Sequence, residues 1–332
     1  MTEDNWCKIQ RKYGEDFLSE VCMTYPRRIY RTGNFYESTL TLTCPVAAEI
    51  ILFAEEPLNF EEFERLEPIN SRIITEPAPF DPNTIEYIID IQKTAIFILQ
   101  ERKLTIDQRL MMMGLYLDRL SELTDHRSIT NLELTKLNDF YKNSSFLQDQ
   151  ASQFSAVINF NAKEYIKITI GLLETLYGVG SEMAHIGLME QKIIRAVTNT
   201  LKLEPDENNQ ISASGVAVNY AALNFECEKF IRQFSTIFEN YLVNEFFLAV
   251  YPFRFNAKIN LNYGIFVTTY KMLELMAFSV SMQENFSKQD LMNLIVWYSN
   301  FIDHSPKYFK AVSDYMKDKN DILAIMQEML QV

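Results

Sequence analysis

The chain has 332 residues, of which 48% are hydrophobic and 23% charged. That much apolar material excludes a disordered chain. Thirty-one basic residues against 44 acidic ones give a net charge of -13, which repels phosphate backbones and excludes nucleic acid as the expected partner. Nine Gly and ten Pro are few turn formers for this length, so helices are favoured over an all-β fold.

Charge interrupts every apolar stretch well before eighteen residues, as Glu245 does in Tyr241 to Phe253, so no membrane span is expected. The first residues, Met-Thr-Glu-Asp-Asn-Trp, have neither a basic start nor an apolar run and do not read as a secretory signal. Four cysteines in a chain this long do not form a disulfide framework and fit a reducing, cytoplasmic setting.

In chain order, Ser19 to Tyr25 reads as the end of a short helix stopped by Pro26. Arg28 to Cys44, with a Thr-Gly-Asn turn at 32–34 and alternation at Leu40 and Leu42, predicts a β-hairpin. Basic residues dominate from Lys8 to Arg31. An acidic belt follows, with Glu49, Glu55, Glu56, Glu61, Glu62, Glu64 and Glu67 facing only Arg65. Prolines at 57, 68, 77, 79 and 82 mark irregular chain and a boundary, dividing a cysteine-containing segment (1–82) from a helical domain (83–332).

Beyond that boundary the period is helical. Thr105-Ile-Asp-Gln108 is a capping box, followed by Ile106, Leu110, Met113, Leu117 and Leu120 on one face. Val216, Tyr220, Leu223, Cys227, Phe230, Phe234, Ile237 and Tyr241 predict one long helix stopped by Pro252, with Cys227 in its core stripe. Glu204 to Ser214 reads as a polar loop, and Leu291, Ile295, Tyr298 and Ile302 form a last stripe before Pro306. The fold class is therefore mainly α: a helical bundle with a small cysteine-containing N-terminal segment that includes a β-hairpin.

Cys7, Cys22 and Cys44 are the first candidates for chemistry. Their spacing is not that of a zinc finger. They could converge on a metal if helix and hairpin fold back, with nearby basic residues favouring thiolates; the alternative is three separate core thiols. Gly178-Val179-Gly180 follows no strand and reads as a turn between helices, so a dinucleotide-type donor fold is not supported. His126 and His185 read as ordinary surface histidines. His304 stands at a helix end, where it can meet the last carbonyls.

Three segments taken together carry a family resemblance. They are Trp6-Cys7-Lys8-Ile9-Gln10, Val21-Cys22-Met23-Thr24-Tyr25-Pro26-Arg27 and Thr41-Leu42-Thr43-Cys44-Pro45. With Asn240-Tyr241-Leu242-Val243-Asn244-Glu245, Tyr251-Pro252-Phe253 and Asp303-His304-Ser305, the chain resembles the flagellin lysine-N-methylase family. The resemblance implies transfer of methyl groups from S-adenosylmethionine to lysines of flagellin. It also implies an iron–sulfur cluster held by cysteines, here Cys7, Cys22 and Cys44. Tyr25, Arg27 and His304 become candidate cofactor-binding residues; for Arg27 the alternative is a solvated arginine after a helix stop. Family members carry a further cysteine-rich segment upstream of Trp6. The chain therefore reads as an N-terminally shortened member with three of the four thiolates a four-iron cluster normally takes. The alternative function is a non-catalytic helical remnant that binds flagellin or a metal. The acidic belt, ordinarily a solvated face, could steer substrate lysines.

Overall fold

The computed structural model describes residues 7–32, 35–62, 64, 87–124, 129–182, 187–202, 213–254, 258–283, 285–317 and 321–330. For 174–182 and 213–222 the backbone alone is described. The predicted 82/83 boundary, His126, His185 and most of the polar loop lie outside these residues, as do the side chains of Val216 and Tyr220.

The N-terminal segment has two short helices, α1 (Lys8–Tyr13) and α2 (Glu20–Thr24), then the hairpin β1 (Arg27–Thr32) and β2 (Phe35–Leu40), then α3 (Pro45–Leu52). The strands pair antiparallel with Arg28 opposite Thr39 and Tyr30 opposite Glu37. As predicted, α2 ends before Pro26. Cys44, expected at the end of the hairpin, is instead the N-cap of a helix opened by Pro45.

The helical body runs α4 (Ile88–Leu99), α5 (Ile106–Thr124), α6 (Asn131–Tyr141), α7 (Ser144–Ser155), α8 (Ala162–Glu182), α9 (Leu188–Leu201), α10 (Ala213–Gln233), α11 (Ser235–Leu248), α12 (Ile259–Ser281), α13 (Lys288–Asp303), α14 (Pro306–Met316) and α15 (Ile322–Met329). The capping box at α5 closes as the sequence requires. The Thr105 N–H donates to Gln108 Oε1 at 3.1 Å and the Gln108 N–H to Thr105 Oγ1 at 3.2 Å. All five residues of its predicted stripe are buried.

At the centre lies α12, buried on nearly every side and packed against α5, α9, α13, α14 and α15. Against α5 the approach is close. A Cβ on Gly114 would meet the Tyr263 ring at 2.6 Å, so only glycine allows the approach that lets Tyr263 donate to the Leu110 carbonyl at 3.1 Å.

Two sequence expectations are corrected. The long helix expected from Val216 to Pro252 is two helices, broken at Phe234, which leaves helical geometry at φ -111 and ψ 18. Cys227, Phe230, Phe234, Ile237 and Tyr241 are nonetheless all buried. The stripe records which face is covered, and a break that keeps this face inward does not disturb it. Gly178-Val179-Gly180 is not a turn but lies inside α8. The two glycines cost the helix roughly 1 kcal/mol each, which the longer run of helix formers N-terminal to them (Ala162 to Leu176) tolerates.

Buried charges tie the body together. Glu239 on α11 accepts from Arg109 at 2.7 Å and from Arg102 at 2.9 Å, and Arg109 also donates to the Leu99 and Leu104 carbonyls at 3.0 Å. Lys271 on α12 donates to Asp107 at 3.1 Å and to Glu274. Burial, with Asp107 beside it, pushes the Glu274 carboxyl up, and Lys271 and Glu274 are almost wholly enclosed while Asp107 keeps a small exposed edge. Cys227, nearby and buried, has its thiol pushed up by the same desolvation, in keeping with a core role.

Candidate functional site

The N-terminal segment is held on the body by two asparagines spaced one helical turn apart on α11. Asn240 Nδ2 donates to the carbonyls of Ala54 at 2.8 Å and Leu52 at 3.3 Å. Asn244 donates to the Leu40 carbonyl at 3.3 Å and accepts from Thr39 Oγ1 at 3.0 Å. On α13, Asn300 reaches the Thr43 carbonyl at 3.3 Å.

This clamp lays β1 against the C-terminal ends of α11 and α13. Alternation along β1 puts Arg28 and Tyr30 on one face. Arg28 donates to Asp303, the last residue of α13, at 3.1 Å. Glu245 lies beside them, one turn beyond Tyr241 on α11. The turn after α11 contributes Tyr251 and Arg254, whose guanidinium lies 4.6 Å from the Phe309 ring centroid and 5.9 Å from that of Tyr251. Below them the hydroxyls of Tyr298 and Tyr308 meet at 3.1 Å, and Tyr298 donates to the Thr269 carbonyl at 2.8 Å.

Glu245 keeps part of its surface open, but its surroundings desolvate the carboxyl. Burial first and the Asp303 charge second push its pKa up to about 7, against the pull of Arg254 and Arg28. Burial also raises Tyr30, Tyr241 and Tyr251, so their hydroxyls stay neutral at ordinary pH. The result is a carboxyl half ionised near neutrality, beside a fixed cation and among neutral aromatic groups. Such a group is suited to proton exchange.

Of the residues predicted from sequence, His304 adjoins this site and the others lie in the N-terminal segment. Cys7 is the half-buried N-cap of α1, where the amides of Gln10 and Ile9 hold its thiol below the usual range. Cys22 is exposed on α2, and Cys44 is half-buried. The Tyr25 hydroxyl lies beside Thr43 and Cys44, and burial raises its pKa. Arg27 donates to Glu15 at 3.0 Å and to the Met23 carbonyl at 3.3 Å. His304 is exposed at the C-cap of α13, next to Asp303.

Among the described residues, no group of three or more His, Cys, Asp or Glu is placed to hold a metal ion. Cys7, Cys22 and Cys44 are thus not gathered as a ligand set here. As placed, they do not fit a four-iron cluster, which takes four thiolates. Sequence reasoning missed Arg28, Glu245, Arg254 and Asp303 as a group, although four of the quoted segments contain or adjoin them.

A helical body whose N-terminal hairpin is pinned beside a half-buried carboxyl is the architecture that the chain presents. Among the described residues, no helix is long and apolar enough to cross a membrane. The sequence profile of the FliB lysine N-methylase C-terminal domain matches residues 92–330, and the chain belongs to the flagellin lysine N-methylase family. No curated relative and no solved structure matches it.

Proposed function

We propose that the chain transfers methyl groups from S-adenosylmethionine to lysine ε-amines of flagellin, in the cytoplasm, with Glu245 handling the acceptor's proton. The family match over residues 92–330 carries this reading, and the chemistry around Glu245 supports it. A free lysine amine has a pKa near 10.4 and must lose a proton before it can attack. Arg254 opposes a second cation beside it, the aromatic walls desolvate the ammonium, and ionised Glu245 accepts the proton. The donor supplies a sulfonium methyl: the nitrogen lone pair forms the N–C bond as the C–S pair returns to sulfur. Tyr30, Tyr241 and Tyr251 supply uncharged, aromatic surroundings for the entering side chain.

The intact mass of flagellin co-expressed with this chain tests the reading. Added methyl-sized steps are expected, and they should drop at least about tenfold with Glu245→Gln. Unchanged mass with a folded wild-type chain refutes catalysis. The second reading is a helical flagellin-binding protein without transfer, and unchanged mass with retained flagellin binding selects it.

A further inference from the structure

A cleft of about 430 Å³ opens between α3, α11 and the start of α13. It lies at the far end of α11 from Glu245: Ile237 in its wall is eight residues away, roughly 12 Å of helix rise. Its rings are Phe53, Phe234 and Phe286, with Glu55 and Lys288 beside them. Phe286 packs edge-on against Phe234, centroids 5.9 Å apart, which fixes the inner wall.

Two observations give the chemistry of its ligand. Lys288 Nζ lies 5.0 Å from the centroid of Phe53, so one aromatic face already carries an alkylammonium. The nearby N-terminus of α13 is not open to an anion. Ser287 Oγ accepts from the Asp290 N–H at 3.2 Å, and the Asp290 carboxylate accepts from the Ser287 N–H at 2.9 Å. A carboxylate already occupies the position an anionic ligand would take. Once Lys288 swings away from Phe53, Glu55 is the charged residue left on the lining, and the cleft then favours positive charge.

We infer that this cleft is a pocket for an onium cation, in which Lys288 is an internal occupant that the ligand displaces from Phe53. Two sources share that chemistry, the sulfonium of S-adenosylmethionine and a methylated lysine side chain of the protein substrate. The inference rests on the methyltransferase reading for these sources but not on Glu245. Sulfonium binding here would move transfer to the Phe53 end of α11. Methyl-lysine binding would make the cleft an anchoring point for substrate.

The experiment is calorimetric titration of the full chain with two matched pairs. One is S-adenosylmethionine against its neutral thioether product; the other is a trimethyl-lysine peptide against its neutral tert-butyl isostere. In at least one pair the cation should bind about fivefold or more tightly than its neutral partner. Phe53→Leu, which keeps apolar bulk but removes the ring face, should abolish that preference, Glu55→Gln should weaken it, and Lys288→Ala should strengthen it. The pair that discriminates identifies the source. Absence of preference in both pairs, or a preference that survives Phe53→Leu in a chain of unchanged circular dichroism, overturns the inference. Binding is read without turnover. Failed methylation with intact onium preference therefore sinks the methyltransferase reading and leaves the onium pocket standing, and methylation without any onium preference sinks this inference alone.

Discussion

Arg28 on β1 donates to Asp303 at the end of α13, 3.1 Å away and 275 residues along the chain. The pair joins the hairpin to the body at the place where both charges bear on Glu245, with opposite effect. In itself it is half exposed, and so adds about 1 kcal/mol or less to stability. Its larger consequence is electrostatic.

Asp303→Asn removes the charge that raises Glu245 and leaves Arg28 to pull it down. The acidic limb of the pH–rate profile for flagellin methylation should move to lower pH, by about 0.5–1 unit. Arg28→Ala should move it the other way. Shifts in the same direction for both variants would show that Glu245 does not set the profile.

The same carboxyl makes stability depend on pH. Its folded pKa of about 7 lies above the roughly 4.3 expected of an unfolded glutamate. The folded state holds the extra proton in that window. The stabilisation is complete below about pH 4 and is lost as pH rises through about 7. Glu245→Gln removes this loss. With allowance for solvent screening, the variant should exceed wild type by about 1–2 kcal/mol at pH 8 and match it at pH 4.5. Urea unfolding at the two pH values measures the difference, and an equal offset at both would reject the linkage.

Asn240 holds the end of α3 through two carbonyls and Asn244 holds β2. Asn240→Ala leaves the Leu52 and Ala54 carbonyls without this donor, at a cost of about 1–3 kcal/mol. The loss should be local. Hydrogen exchange in β1, β2 and α3 should quicken while α12 amides keep their protection. Uniform quickening across the chain would show that the segment and body unfold as one unit.

Much of this architecture is written in short-range pattern. Thr105 and Gln108 cap α5 because each has the group the other's backbone needs, and three positions suffice to show it. The hairpin follows from alternation and a turn, and Cys227 from its place on an apolar stripe. The break at Phe234 has no such signal, since neither glycine nor proline marks it and the stripe runs through unchanged. The Glu245 site was illegible for a related reason. Its charge state comes from Asp303, Arg254 and Arg28, which the fold brings together and which no local spacing links.

The four thiols should differ sharply in reactivity. Amides at the start of α1 favour the Cys7 thiolate, whereas burial disfavours that of Cys227. Brief maleimide treatment at pH 7 followed by peptide mass spectrometry should label Cys7 at least about a hundredfold faster than Cys227. Comparable rates would mean that α10 opens readily and that its stripe is not a stable core.

Glu239 carries the heaviest structural demand of any acid on α11. It is 1% exposed and receives both Arg109 and Arg102. Glu239→Ala leaves the Arg109 guanidinium buried with only the Leu99 and Leu104 carbonyls, which accept hydrogen bonds but do not neutralise charge. The expected loss is about 3–5 kcal/mol. Glu239→Gln keeps the acceptor and volume but not the charge, so it should lose less. Adding Arg109→Met to Glu239→Ala should recover much of the loss, because an apolar chain then replaces the stranded cation. Thermal unfolding of these variants together with Arg109→Met alone separates the terms. Additive losses in the double variant would mean that the two side chains stabilise the fold independently, through packing rather than as a pair.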